Sequence, residues 1–203
     1  KALATFSVQA VLDYPYIITY PHTNATTTDA PKVEFMAVQE YAEGSFANGS
    51  APMYGYVAKS GDKIVLNHLA GVLRLAVKGD KTLSQMTVKA EKGVLAGGFA
   101  VDCTTGALTA QDGATNTVNL SFGEGLTLSD TATPIYVAVP AGEYGKVTIT
   151  LYTNEAENNA MTVSFDSDNN AVKAGIVREF GEITFTPNAA SGQEGELVIV
   201  NAA

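Results

Sequence analysis

Apolar and polar residues alternate in short runs along this chain, and that period of two constrains the fold more than any other feature. Successive side chains of an extended strand point to opposite faces. Strict alternation therefore marks a sheet with one face in a core and the other in solvent. In Lys146-Val147-Thr148-Ile149-Thr150-Leu151-Tyr152, the set Val147, Ile149 and Leu151 shares one face, and Lys146, Thr148 and Thr150 share the other. The sets Val118, Leu120, Phe122 and Met161, Val163, Phe165 and Ile135, Val137, Val139 repeat the pattern. Further strands are predicted at 5–9, 16–20, 32–38, 53–57, 63–67, 86–90, 99–102, 175–178, 182–186 and 196–200.

Two stretches compete with this pattern. Leu66, Leu69, Leu73 and Ala76 also fit one face of a helix. Gly71 in their midst costs a helix about 1 kcal/mol, and Leu73, Leu75 and Val77 alternate with Arg74, Ala76 and Lys78, so a strand is predicted there. Residues 39–43 read as a single helical turn before Gly44.

Turn residues separate the runs: Ser60-Gly61-Asp62, Lys78-Gly79-Asp80, Gln111-Asp112-Gly113, Pro140-Ala141-Gly142 and Asp168-Asn169-Asn170. Gly and Asn accept the backbone that tight hairpins need. Many short strands with regular turns predict an all-β chain of antiparallel sandwiches. A length of 203 residues fills one large sandwich or two small ones. Gly93, Gly97 and Gly98 mark a seam, which divides the chain into units at 1–95 and 96–188, followed by a loop and strand at 189–203.

Charged residues make up 16% of the chain, against roughly 25% in ordinary soluble domains. Thr, Ser, Asn and Ala take their place, a composition common in exported β-proteins. The net charge is −9 and no basic patch forms, which argues against nucleic acid and anionic lipid as partners. The single Cys103 can form no internal disulfide, and neither His22 nor His68 is near it in sequence to activate it as a nucleophile. The chain contains no apolar run of transmembrane length. Lys1 at the start and the strand-like GELVIVNAA at the close read as cut ends, leaving room for a signal peptide upstream and more sequence downstream.

Motifs for catalysis are absent: no G-x-S-x-G, no H-E-x-x-H and no P-loop. No enzymatic activity, metal or cofactor is expected. Asp166-Ser167-Asp168-Asn169-Asn170 opens like a calcium loop, but Ala171 and Val177 stand where Gly and Glu belong, so a hairpin turn is the better reading. Asp13, Glu34, Glu143 and Glu155 read as loop or solvent-face carboxylates. Tyr14, Tyr16 and Tyr20 fall on one side of a strand and Tyr54 and Tyr56 alternate on another. Tyr14, Tyr16, Tyr54 and Tyr56 are the candidates for gripping a ligand ring, and the competing reading is core or cross-strand packing. The absence of Trp weakens the case for a sugar. Leu197, Val198, Ile199 and Val200 form a strand apolar on both faces, which suits burial on both sides. It is expected to be a donor strand for a neighbour, the first strand of a downstream region, or a strand of its own domain.

Particular strings resemble the fimbrillin-like proteins of Bacteroides-type bacteria. They are VQEYAEGSF at 38–46, APM at 51–53, LNHLAGVLRL at 66–75 and TATPIYVAVPAGEY at 131–144. The resemblance runs from about Tyr14 to Pro187. It implies two antiparallel Greek-key, transthyretin-like β-sandwich domains in tandem. It also implies an exported surface adhesion protein, on the outer membrane or in the fimbrium of a Gram-negative bacterium. The partners implied are other pilus subunits, joined by β-strand exchange, or ligands on host or bacterial surfaces. Membrane attachment would come only through an N-terminal lipid, on a cysteine that this chain lacks. The alternative is a glycan-binding β-sandwich module of an outer-membrane complex.

Overall fold

The computed structural model describes residues 13–22, 31–102, 104–156, 159–166, 170–187 and the backbone of 197–200. Every regular element among them is a strand. In order they are β1 (Tyr16–Tyr20), β2 (Lys32–Phe35), β3 (Val38–Glu40), β4 (Met53–Val57), β5 (Asn67–His68), β6 (Ala70–Lys78), β7 (Thr82–Ala90), β8 (Gly97–Val101) and β9 (Leu108–Ala110). Then come β10 (Thr117–Thr127), β11 (Thr133–Pro140), β12 (Gly142–Glu143), β13 (Val147–Thr153), β14 (Ala160–Phe165), β15 (Ala171–Val172), β16 (Val177–Thr184) and β17 (Leu197–Val200).

The alternation becomes a core. Val147, Ile149 and Leu151 of β13 are buried, as are Val118, Leu120 and Phe122 of β10 and Met86 and Val88 of β7. They belong to a six-stranded sheet ordered β17-β14-β13-β7-β10-β3. A three-stranded sheet, β11-β6-β16, adds Leu73, Leu75, Val77, Ile135 and Val137 to the same core. Each such side chain contributes roughly 1.5–3 kcal/mol by leaving water. A second, smaller core gathers Val33, Phe35, Leu69, Ala70, Phe99 and Val101. It is enclosed by the sheets β1-β4-β5 and β2-β8-β9, with Phe35 and Phe99 edge to face at 5.2 Å.

The two sandwiches are interleaved along the sequence. The chain passes from the small one to the large one, or back, between β2 and β3, β3 and β4, β5 and β6, β7 and β8, and β9 and β10. A cut at residue 95 would sever the β7–β10, β7–β13, β6–β11 and β2–β8 ladders.

Three local expectations are corrected. Residues 38–40 are a strand, not part of a helical turn, because they pair in parallel with β10. Residues 63–66 lie outside any ladder. Ile64, Val65 and Leu66 are exposed, and the segment crosses β4 at Gly55, where a Cβ would lie 2.9 Å from the Val65 carbonyl oxygen. The runs predicted at 175–178 and 182–186 merge into one strand, β16, which spans only Val177–Thr184 and has a register shift between Glu179 and Glu182. The predicted strand at 5–9 lies outside the described residues.

Candidate functional site

Register builds the floor of a pocket. Tyr20 at the end of β1 pairs with Met53 of β4, and Met53 pairs with His68 of β5. Directly opposed residues share a face, so the three side chains form a row across the sheet. The loop between β3 and β4 supplies the wall through Ser45, Phe46, Asn48, Gly49 and Ala51. The space between them, about half open to solvent, is about 300 Å³.

The wall is held by its own hydrogen bonds. The Ser45 N–H donates to the Ala42 carbonyl at 3.1 Å. Both the N–H and the hydroxyl of Ser50, a fully buried residue, donate to the Ala47 carbonyl, at 3.2 and 2.7 Å. Gly49 takes a left-handed backbone, φ +77°, that closes the turn. Behind the floor, the position a Gly175 Cβ would take is 3.3 Å from the His68 ring, so the backbone there is close against the imidazole.

The pocket joins apolar surface from Tyr20, Phe46, Ala51 and Met53 to polar groups from Ser45, Asn48 and His68. The side chains of those three have no hydrogen-bond partner among the described residues. Among the described residues, no Asp, Glu, Lys or Arg lines the pocket.

The tyrosines singled out in the sequence divide between two faces. Tyr16 pairs with Val57 and Ile17 with Tyr56, so Tyr16 and Tyr56 point to opposite sides of the sheet. Tyr14 and Tyr16 pack together at 5.1 Å between ring centroids. Loss of solvent around Tyr16, and then the charge and hydroxyl of Tyr14, push its pKa above the ordinary tyrosine value. Tyr54 packs against the small core, and a Cβ on Gly106 would sit 2.5 Å from its hydroxyl. Tyr56 is exposed on that side. The four do not make one platform. Sequence reasoning missed Phe46 and Asn48, which sit in an irregular loop with no periodic signal. Tyr20 carried a signal, through its shared period with Tyr14 and Tyr16.

Of the calcium-like stretch, Ser167, Asp168 and Asn169 lie outside the described residues, and the two that are described, Asp166 and Asn170, have their groups engaged elsewhere. Asn170 is buried, and its side-chain N–H groups donate to the carbonyls of Gly145 at 2.7 Å and Phe165 at 2.9 Å. Its oxygen accepts from the Arg178 guanidinium at 3.2 Å. Asp166 is 3.3 Å from the Lys146 ammonium. Among the described residues no three His, Cys, Asp or Glu side chains converge as metal ligands would. Glu155 pairs with Lys81 at 2.9 Å, and Asp13, Glu34 and Glu143 are exposed. Cys103 lies outside the described residues.

The backbone of Leu197–Val200 runs antiparallel to β14 as the outermost strand of the six-stranded sheet. Leu197 lies opposite Phe165 and Ile199 opposite the core residue Val163.

No family model and no curated protein matches the chain. Solved structures do. One is described as a "putative cell adhesion protein" from Bacteroides uniformis ATCC 8492, with 13% identity, a TM-score of 0.51, and coverage of 91% of this chain and 69% of that one. Another, with the same description, is from Bacteroides ovatus ATCC 8483, with 14% identity, a TM-score of 0.53, and coverage of 99% and 73%. This chain therefore shares its all-β sandwich fold with these two Bacteroides proteins, in agreement with the all-β sandwich, though not with the tandem order, that the fimbrillin-like resemblance implies.

Proposed function

We propose that the chain is an adhesion protein of the bacterial cell surface, of fimbrillin type, acting as a pilus subunit or as a non-polymerising adhesin. The observation that carries this reading is the fold shared over 91% and 99% of the chain with two proteins described as cell adhesion proteins. A surface of Thr, Ser and Asn with few charges supports export. In the pilus form, β17 at the sheet edge is the strand that would be exchanged between subunits.

Display of the chain on a non-adherent bacterial host tests the reading. Intact cells should label with antibody to the chain and gain adherence to host or bacterial surfaces. Normal labelling with no gain in adherence would sink it.

A further inference from the structure

We propose that the pocket floored by Tyr20, Met53 and His68 binds one neutral pyranose ring. This gives the adhesion reading a ligand class and rests on that reading for its biological sense.

A volume of about 300 Å³ lies at the small end of ligand sites, which run from roughly 300 to 1,000 Å³. It suits one ring with its substituents rather than a longer chain. A pyranose has C–H faces and a rim of hydroxyls. Its faces need aromatic or thioether surface, which Tyr20, Phe46 and Met53 provide. Its rim needs donors and acceptors not already engaged, and the side chains of Ser45, Asn48 and His68 are in that state among the described residues.

Charge narrows the class. Among the described residues no lining side chain is a carboxylate, an ammonium or a guanidinium, so an ionised ligand would lose hydration there with no such countercharge in contact. The net charge of −9 further disfavours sulfated, phosphorylated or uronic sugars. A peptide would bind an exposed strand edge through main-chain bonds, whereas this floor is a row of side chains across β1, β4 and β5. The wall loop is already closed by the Ser50–Ala47 bonds, so little ordering is needed on binding.

The test is saturation-transfer NMR of the intact chain, at millimolar methyl glycosides of glucose, galactose, mannose and N-acetylglucosamine. At least one should receive magnetisation. Tyr20→Ala and Asn48→Ala alter exposed residues, and their folding is checked by an unchanged melting temperature. Each should weaken that binding by up to about tenfold, the scale of one lost aromatic or hydrogen-bond contact. Tyr56→Ala, on the opposite face, should leave it intact. No transfer to any glycoside, or transfer undiminished in both pocket variants, overturns the proposal, as does self-association through the pocket without glycoside transfer. Adherence without transfer overturns the pocket and leaves the adhesion reading standing. Transfer without adherence supports the pocket and sinks adhesion.

Discussion

The Gln39 side chain makes with Ala138 the pair of hydrogen bonds that a neighbouring strand would make. Its amide N–H donates to the Ala138 carbonyl at 2.7 Å, and its oxygen accepts the Ala138 N–H at 3.2 Å. Gln39 is fully buried and lies on β3, in the six-stranded sheet, while Ala138 lies on β11, in the facing sheet. One amide thus joins the two layers of the large sandwich. Gln39→Leu keeps most of the volume but strands two buried backbone groups, each costing about 1–3 kcal/mol. Urea unfolding should show a loss of roughly 2–5 kcal/mol on that ground. A loss below about 1 kcal/mol would mean that water replaces the amide.

Gly71 is a packing requirement. A Cβ there would meet the Val172 side chain and lie 2.5 Å from the Lys173 carbonyl oxygen and 3.1 Å from that of Ile176. Two of these are backbone atoms, held by bonds from Val72 N–H to Ile176 and from Gly175 N–H to Ala70. Gly71→Ala should therefore destabilise by about 1–3 kcal/mol or more through overpacking, where in an ordinary exposed helix it would stabilise. Thermal melting decides the sign.

Asn170→Asp separates a structural turn from a cation site. A calcium loop gains affinity from an added carboxylate. Here the change removes two donors from the carbonyls of Gly145 and Phe165 and places a negative charge beside them. The variant should melt lower, and millimolar calcium should move neither protein. A calcium-dependent rise in melting temperature, of the size that ligand linkage produces, would contradict this.

Truncation after residue 196 tests strand exchange. Under the pilus reading, the shortened chain should still unfold cooperatively but no longer associate, as measured by light scattering. A truncated protein that melts far below the intact one, with association unchanged, would show that β17 serves only its own sheet.

Legibility followed regularity. The predicted strands at 16–20 and 53–57 carry the same bounds in the structure, each beginning directly after a proline, Pro15 or Pro52. Alternation also won over a helical reading at 70–78, since that strand is central in its sheet. The apolar run at 64–66 misled, because it crosses the face of β4 instead of extending the ladder, and only Gly55 makes room for it. Gly71 was read as an argument against a helix, while its requirement comes from a loop a hundred residues later in sequence. The pocket was the least legible feature. Its floor is set by register between strands, and its wall by a loop whose order comes from a few hydrogen bonds.

Two of the passages between the sandwiches are very short. Met36 and Ala37 alone separate β2 from β3, and Leu69 alone separates β5 from β6. A pull on the pocket would enter the small sandwich and leave it through several covalent strands at once. Two parallel ladders, β3 with β10 and β6 with β16, lie just beyond these links. Under the adhesion reading, a load on the pocket would pass from the small sandwich to the large one through links of only one or two residues.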